Sequence, residues 1–177
     1  DTRDVFRPGF ASKDALKGIG TLINLRRLII DGSGVVDLDD LEGLDKLQHL
    51  DLGVAPHLRC VAGLAHVPQL ERFRIGAAPK LATLQGMESL TALQIDHGRD
   101  SRGQWVPTGR RRLELQKLGI TDLKGLPPLA LDELSVARCE LRTLDGLEDL
   151  PSLRALRVTD CKKLGDVSAV SAQPELV

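Results

Sequence analysis

Residues 47–52 read LQHLDL, placing leucines at 47, 50 and 52 so that the last two alternate with the polar Asp51. Alternation of this kind marks a short strand with one buried face. The unit recurs along the chain as Leu25/Leu28/Ile30, Leu70/Phe73/Ile75, Leu90/Leu93/Ile95, Arg110/Leu113/Leu115, Leu131/Leu134/Val136 and Leu153/Leu156/Val158. Its last apolar members step by 22, 23, 20, 20, 21 and 22 residues. A sustained period in the range of about 20–50 residues is the signature of stacked structural repeats.

Between the strand units lies a second signature, apolar-x-Gly-apolar, at Leu16–Ile19, Leu41–Leu44, Val61–Leu64, Leu84–Met87, Leu123–Leu126 and Leu144–Leu147. Val167–Val170 repeats it with Ala169 in the glycine place. Only ~15 residues separate one strand from the next, so every strand runs the same way and the return path is a loop or a short 3₁₀ turn. One rung buries little by itself. Stacked rungs enclose a continuous leucine core, each buried leucine contributing roughly 1.5–3 kcal/mol, so stability is shared between neighbours.

On these residues the span from Leu16 to Val170 resembles a leucine-rich repeat protein, and Leu-x-Gly-Leu-x-x-Leu with a period near 22 is similar to the short-repeat subclass of the internalins and the phosphatase-regulator type. The resemblance implies an α/β solenoid, a curved horseshoe segment with a parallel sheet on its concave face and 3₁₀ turns and loops on the convex face, used to bind proteins. The family often has Asn three residues after the last strand apolar residue. Here those places hold Ser33, Ala55, Ala78, Gly98, Leu118, Cys139 and Cys161, and the only Asn is Asn24. Cys139 and Cys161 fit the Cys-for-Asn variant on adjacent rungs, where two reduced inward-facing thiols are expected and a disulfide is the alternative. Cys60 reads as a small buried apolar residue.

Composition agrees. Leucine supplies 33 of 177 residues, while Phe and Trp together supply four and there is no Tyr, so aromatic anchors do not build the core. With 24 basic and 25 acidic side chains the net charge is −1, which removes the simple case for nucleic acid or an anionic membrane as main partner. No apolar run approaches the ~20 residues of a membrane span. An odd cysteine count at spacings unlike a disulfide framework or zinc site favours a cytoplasmic or other intracellular reducing compartment. The opening Asp1, with no Met and no signal-peptide pattern, suggests a cut or processed product. Residues 1–15 carry Phe6 and Phe10 outside the repeat and are expected to form an N-terminal cap or a tail. Residues 16–177 form the repeat domain of about seven units, expected to continue past Val177 because Leu176 falls on the place of a new strand.

One unit is irregular. In residues 98–112 the loop leucines are replaced by Ser101, Gln104, Pro107 and Arg110. Losing four apolar contributions would weaken this rung by several kcal/mol unless Trp105 and Val106 fold inward. Either Trp105 plugs the gap, or an exposed Trp105 among Arg99, Arg102, Arg110, Arg111 and Arg112, with Arg74 nearby on the sheet, forms a protein-binding hot spot.

Chemistry finds little support. His49, His57, His66 and His97 lack metal-ligand spacing, and no Gly-rich phosphate loop is present. His49 and Asp51 share a sheet face, but neighbouring rungs offer Arg27, Ile29, Arg72 and Arg74 rather than a nucleophile. No enzyme activity, cofactor or metal is expected. The outward positions of the seven strands hold eight basic and seven acidic residues, a balance that argues against a nucleic-acid groove and fits a protein partner with patterned charge. Arg72, Arg74, Trp105, Arg111, Arg112 and Glu114 are the candidate contacts, near mid-sheet and beside the irregular loop. The expectation is a non-catalytic protein-interaction module. An RNA-associated role through the arginines of 98–112, and the recognition part of a larger enzyme or effector, are the alternatives. Nothing in the pattern fixes an oligomeric state.

Overall fold

The structure is a computed structural model that describes residues 5–6, 16–30, 34–87, 98–99, 105–106, 112–126 and 131–176. Val5–Phe6 (β1), Arg27–Ile29 (β2), His49–Asp51 (β3) and Arg72–Arg74 (β4) form one sheet in that order. Every pair is parallel, and the register follows the repeat: Leu28 lies beside Leu50, and Leu50 beside Phe73. β1 pairs ahead of β2, Phe6 beside Leu28. It falls in the stretch for which a cap or tail is expected.

Arg112–Gln116 (β7), Glu133–Ala137 (β8) and Ala155–Thr159 (β9) form a second parallel sheet, with Leu113, Leu134 and Leu156 in register and Leu115, Val136 and Val158 beside one another. The unit Leu90/Leu93/Ile95 lies outside the described residues. Gly98–Arg99 (β5) and Trp105–Val106 (β6) pair antiparallel, Arg99 beside Trp105. This short ribbon lies outside the repeat strands, whose described members all run one way as the sequence reading expects. Two segments so close in the chain can pair only as a hairpin, because a parallel pair needs a crossover of about a dozen residues.

The other side of the stack is built from 3₁₀ turns at Ile19–Thr21, Asp39–Leu41, Ala62–His66, Leu147–Asp149 and Ser168–Ala172. Between strands and turns runs one hydrophobic core, in which the first and second leucines of the Leu-x-Gly-Leu units at 41–44, 123–126 and 144–147 are all buried. The glycines in these units are needed twice over. Gly125 takes φ +85°, a left-handed conformation costly for residues with a Cβ, and a Cβ there would stand 2.6 Å from Gln85 N. The turn at 123–126 is thereby pressed against the turn at 84–87.

That contact continues along the loop side. Ala78 and Leu118 form a parallel bridge, Ala78 N–H donating to Lys117 O at 3.1 Å and Gly119 N–H to Ala78 O at 3.2 Å. Leu81, Leu84 and Met87 are buried on one side of this join, and Leu118, Ile120, Leu123 and Leu126 on the other. The turns that flank residues 98–112 in sequence are thus packed directly against one another.

Candidate functional site

Strand residues that do not point into the core line up across the first sheet in columns set by the register. Arg27, His49 and Arg72 are beside one another, and so are Ile29, Asp51 and Arg74. One position earlier, Gln48 and Glu71 are tied to the preceding rungs through the carbonyls of Arg26 and Gln48, so Arg26, Gln48 and Glu71 form a third column. The columns exist because repeats of 22 and 23 residues bring equivalent positions to the same height on successive rungs.

The two carboxylates on this surface are engaged by neighbours. Asp51 Oδ2 accepts from Arg74 Nη1 at 2.8 Å, while its Oδ1 accepts the Gly53 N–H at 2.9 Å. Glu71 Oε1 accepts from Gln48 Nε2 at 3.4 Å. With the arginine side chain 48% exposed and the carboxylate 25% exposed, the Arg74–Asp51 pair contributes at most about 1 kcal/mol. Arg72 is different: it is half-buried, and its Nε is shielded from water without a hydrogen-bond partner among the described residues.

The second sheet carries other chemistry. Arg112 stands beside Glu133, which stands beside Ala155, and Glu114, Ser135 and Arg157 share a row. The strand-to-turn corners of this half hold three non-glycine residues in the left-handed region, Lys117 (φ 54°), Arg138 (φ 55°) and Asp160 (φ 55°). Arg138 Nε lies 3.5 Å from Asp160 Oδ2 across two of these corners, with both side chains exposed.

The candidate residues therefore separate. Arg72 and Arg74 share β4, Arg112 and Glu114 share β7, Trp105 belongs to β6, and Arg111 lies outside the described residues. Arg27 and His49, which complete the row with Arg72, were not among the sequence candidates. The repeat period aligns 27, 49 and 72 and was the signal that could have found them.

Next to the second sheet, Cys139 is buried and its Sγ lies 3.5 Å from Ala137 O, while Cys161 Sγ makes the equivalent contact with Thr159 O at 3.5 Å. Burial pushes the Cys139 thiol above its usual pKa, and the neighbouring Cys161 adds to that rise against backbone groups that lower it. All three cysteines are free. Cys60 is only half-buried, its sulfur accepting the Ala62 N–H at 3.3 Å, which corrects the reading of it as a buried apolar residue. Among the described residues no group of three or more His, Cys, Asp or Glu could hold a metal ion, and no helix is long and apolar enough to cross a membrane. A shallow open depression lined by Arg142, Lys163, Gly165 and Asp166 lies on the loop side of the last rungs.

Parallel strands in the repeat register, inward leucines and 3₁₀ returns define a leucine-rich repeat solenoid. No family model and no curated protein matches the chain. Among solved structures it is similar to the leucine-rich repeat domain of the type III effector XopL, with a TM-score of 0.48 and 22% identity over 84% of this chain and 49% of that one. The chain spans about half the length of that solved chain.

Proposed function

We propose that this solenoid is a non-catalytic protein-interaction module, a scaffold, recognition or regulatory domain that binds a protein partner on its sheet face. The observation that carries this reading is the set of in-register columns on β2–β4. Side chains of both signs are held at fixed heights on a backbone whose other face is filled by leucine. Such a surface is pre-organised, so a partner loses little free energy to its ordering. Patterned charge of this kind sets specificity and encounter rate.

The repeat period near 22 supports placing the chain in the short-repeat subclass. Arg72, Arg74, Trp105, Arg111, Arg112 and Glu114 are the proposed contacts, with β4 and β7 supplying four of them. The test is capture of partners by the intact chain compared with a Trp105→Ala, Arg112→Ala variant and an Arg72→Ala, Arg74→Ala variant. Loss of a defined partner from either variant, with folding retained, supports the reading. Identical partner sets from all three proteins remove these residues from it.

A further inference from the structure

We infer that the β2–β4 face is a docking surface for an extended acidic segment of a partner protein, one carrying carboxylates at positions i and i+3. The inference rests on the interaction-module reading and adds the partner's chemistry to it.

Four arginines, Arg26, Arg27, Arg72 and Arg74, and two carboxylates, Asp51 and Glu71, occupy the three columns of this face, an excess of two positive charges. Both carboxylates are already engaged, Asp51 by Arg74 and Glu71 by Gln48. Among the described residues, Arg26, Arg27 and Arg72 have no such partner. The clearest sign is Arg72, whose Nε is shielded from water with its hydrogen-bonding capacity unused. A buried donor left without an acceptor is costly, and an incoming carboxylate relieves that cost.

Spacing selects the form of the ligand. Neighbouring strands lie ~4.8 Å apart, so Arg27 and Arg72, with His49 between them, stand ~10 Å apart across the sheet. A segment in the extended polyproline II conformation advances ~3.1 Å per residue with three residues per turn, so positions i and i+3 lie on one side ~9 Å apart, close to the same span. A peptide crossing the strands with Glu at i and i+3 places one carboxylate at each arginine and its middle over His49. Arginine suits this role because its planar fork meets a carboxylate through two parallel hydrogen bonds.

The experiment measures fluorescence anisotropy of labelled twelve-residue Gly/Ser peptides carrying either Glu-Ser-Gly-Glu or Glu-Glu-Ser-Gly. The full chain is compared with an Arg27→Gln, Arg72→Gln variant and with an Arg154→Gln, Arg157→Gln variant on the other sheet, circular dichroism confirming that each folds. The expected result is tighter binding of the i, i+3 peptide, weakened about ten-fold by the first variant and unchanged by the second. Equal binding of the two peptides, or equal loss in both variants, overturns the inference. Displacement of the peptide by a uridine oligonucleotide that binds more tightly overturns it in favour of nucleic acid. If the peptides do not bind while a defined partner protein does, and Arg154→Gln, Arg157→Gln abolishes that complex, the acidic-segment inference falls and the interaction module stands.

Discussion

Ala78 and Leu118 are forty residues apart in sequence and joined by a parallel backbone bridge, whereas paired residues on adjacent rungs elsewhere, such as Leu28 and Leu50, are about one repeat apart. On the loop side this bridge brings the 84–87 and 123–126 turns directly together, with Leu84, Met87, Leu123 and Leu126 all buried. Stability at this join comes from the close approach of the 84–87 and 123–126 turns, and it can be tested there.

Gly125→Ala should be one of the more damaging single substitutions in the chain. The left-handed φ of +85° alone costs an alanine ~1–2 kcal/mol, and the added Cβ would also crowd Gln85 N at 2.6 Å. A total of about 3 kcal/mol or more is expected, because the turns are held by the core on both sides. Gly18→Ala is the control: its φ is +77° but nothing among the described residues lies within 4 Å of a Cβ, so only about 1 kcal/mol is at stake. Urea unfolding of the two variants measures the difference, and similar midpoints would show that the turns do not meet.

Leu50→Ala and Leu134→Ala should each cost about 2–5 kcal/mol, since both side chains are 1% exposed inside the ladder and leave a cavity. Arg74→Ala removes an exposed ion pair with Asp51 and should change stability by about 1 kcal/mol or less. Equal losses from the three would mean that inward and outward positions are misassigned.

The period of the leucines made the rungs, their direction and their inward residues legible before any coordinates, because a strand this short with one buried face must alternate and must stack. Leu28, Leu50, Leu134 and Val136 are all buried, as the alternation requires. The bridge from Ala78 to Leu118 was not legible. A period fixes the spacing of neighbours along the chain but cannot say that residues two repeats apart will bridge. The left-handed corners at Lys117, Arg138 and Asp160 were hidden for a related reason: no glycine marks them, and the ladder imposes the conformation. Of the candidate surface, Arg72 and Arg74 were found by position. The row joining Arg72 to Arg27 and His49 was visible only when strands were compared across rungs instead of along the chain.

The ribbon of β5 and β6 should tolerate redesign. Arg99 and Trp105 are directly paired, so the five residues between them can be replaced by Asn-Gly, whose two-residue turn suits the twist of a hairpin. Because the flanking turns are already joined through Ala78 and Leu118, the unfolding midpoint should hold, with a change below about 1 kcal/mol. A large loss of stability would show that the excised residues are part of the core. A retained midpoint with lost partner capture would place the docking role in the loop.

Cys139 should be the slowest of the three thiols to react, and its ionisation should leave a mark on stability at alkaline pH. Alkylation by iodoacetamide proceeds through the thiolate. Burial, with the neighbouring Cys161 adding to it, raises the Cys139 pKa in the folded chain. Cys60 and Cys161 are only partly buried. Mass spectrometry of the native protein at neutral pH should therefore show Cys60 and Cys161 modified first, and Cys139 only on unfolding. The same displacement fixes the sign of the linkage. The folded state holds the Cys139 proton to higher pH than the unfolded chain does, so this contribution is fully present below the unfolded thiol's pKa of ~8.5 and is lost as pH rises through the higher folded value. Unfolding free energies measured from pH 7 to pH 10 should fall more steeply in the parent chain than in Cys139→Ala. Equal slopes, together with native alkylation of Cys139 as fast as that of Cys161, would show that the thiol is open to solvent.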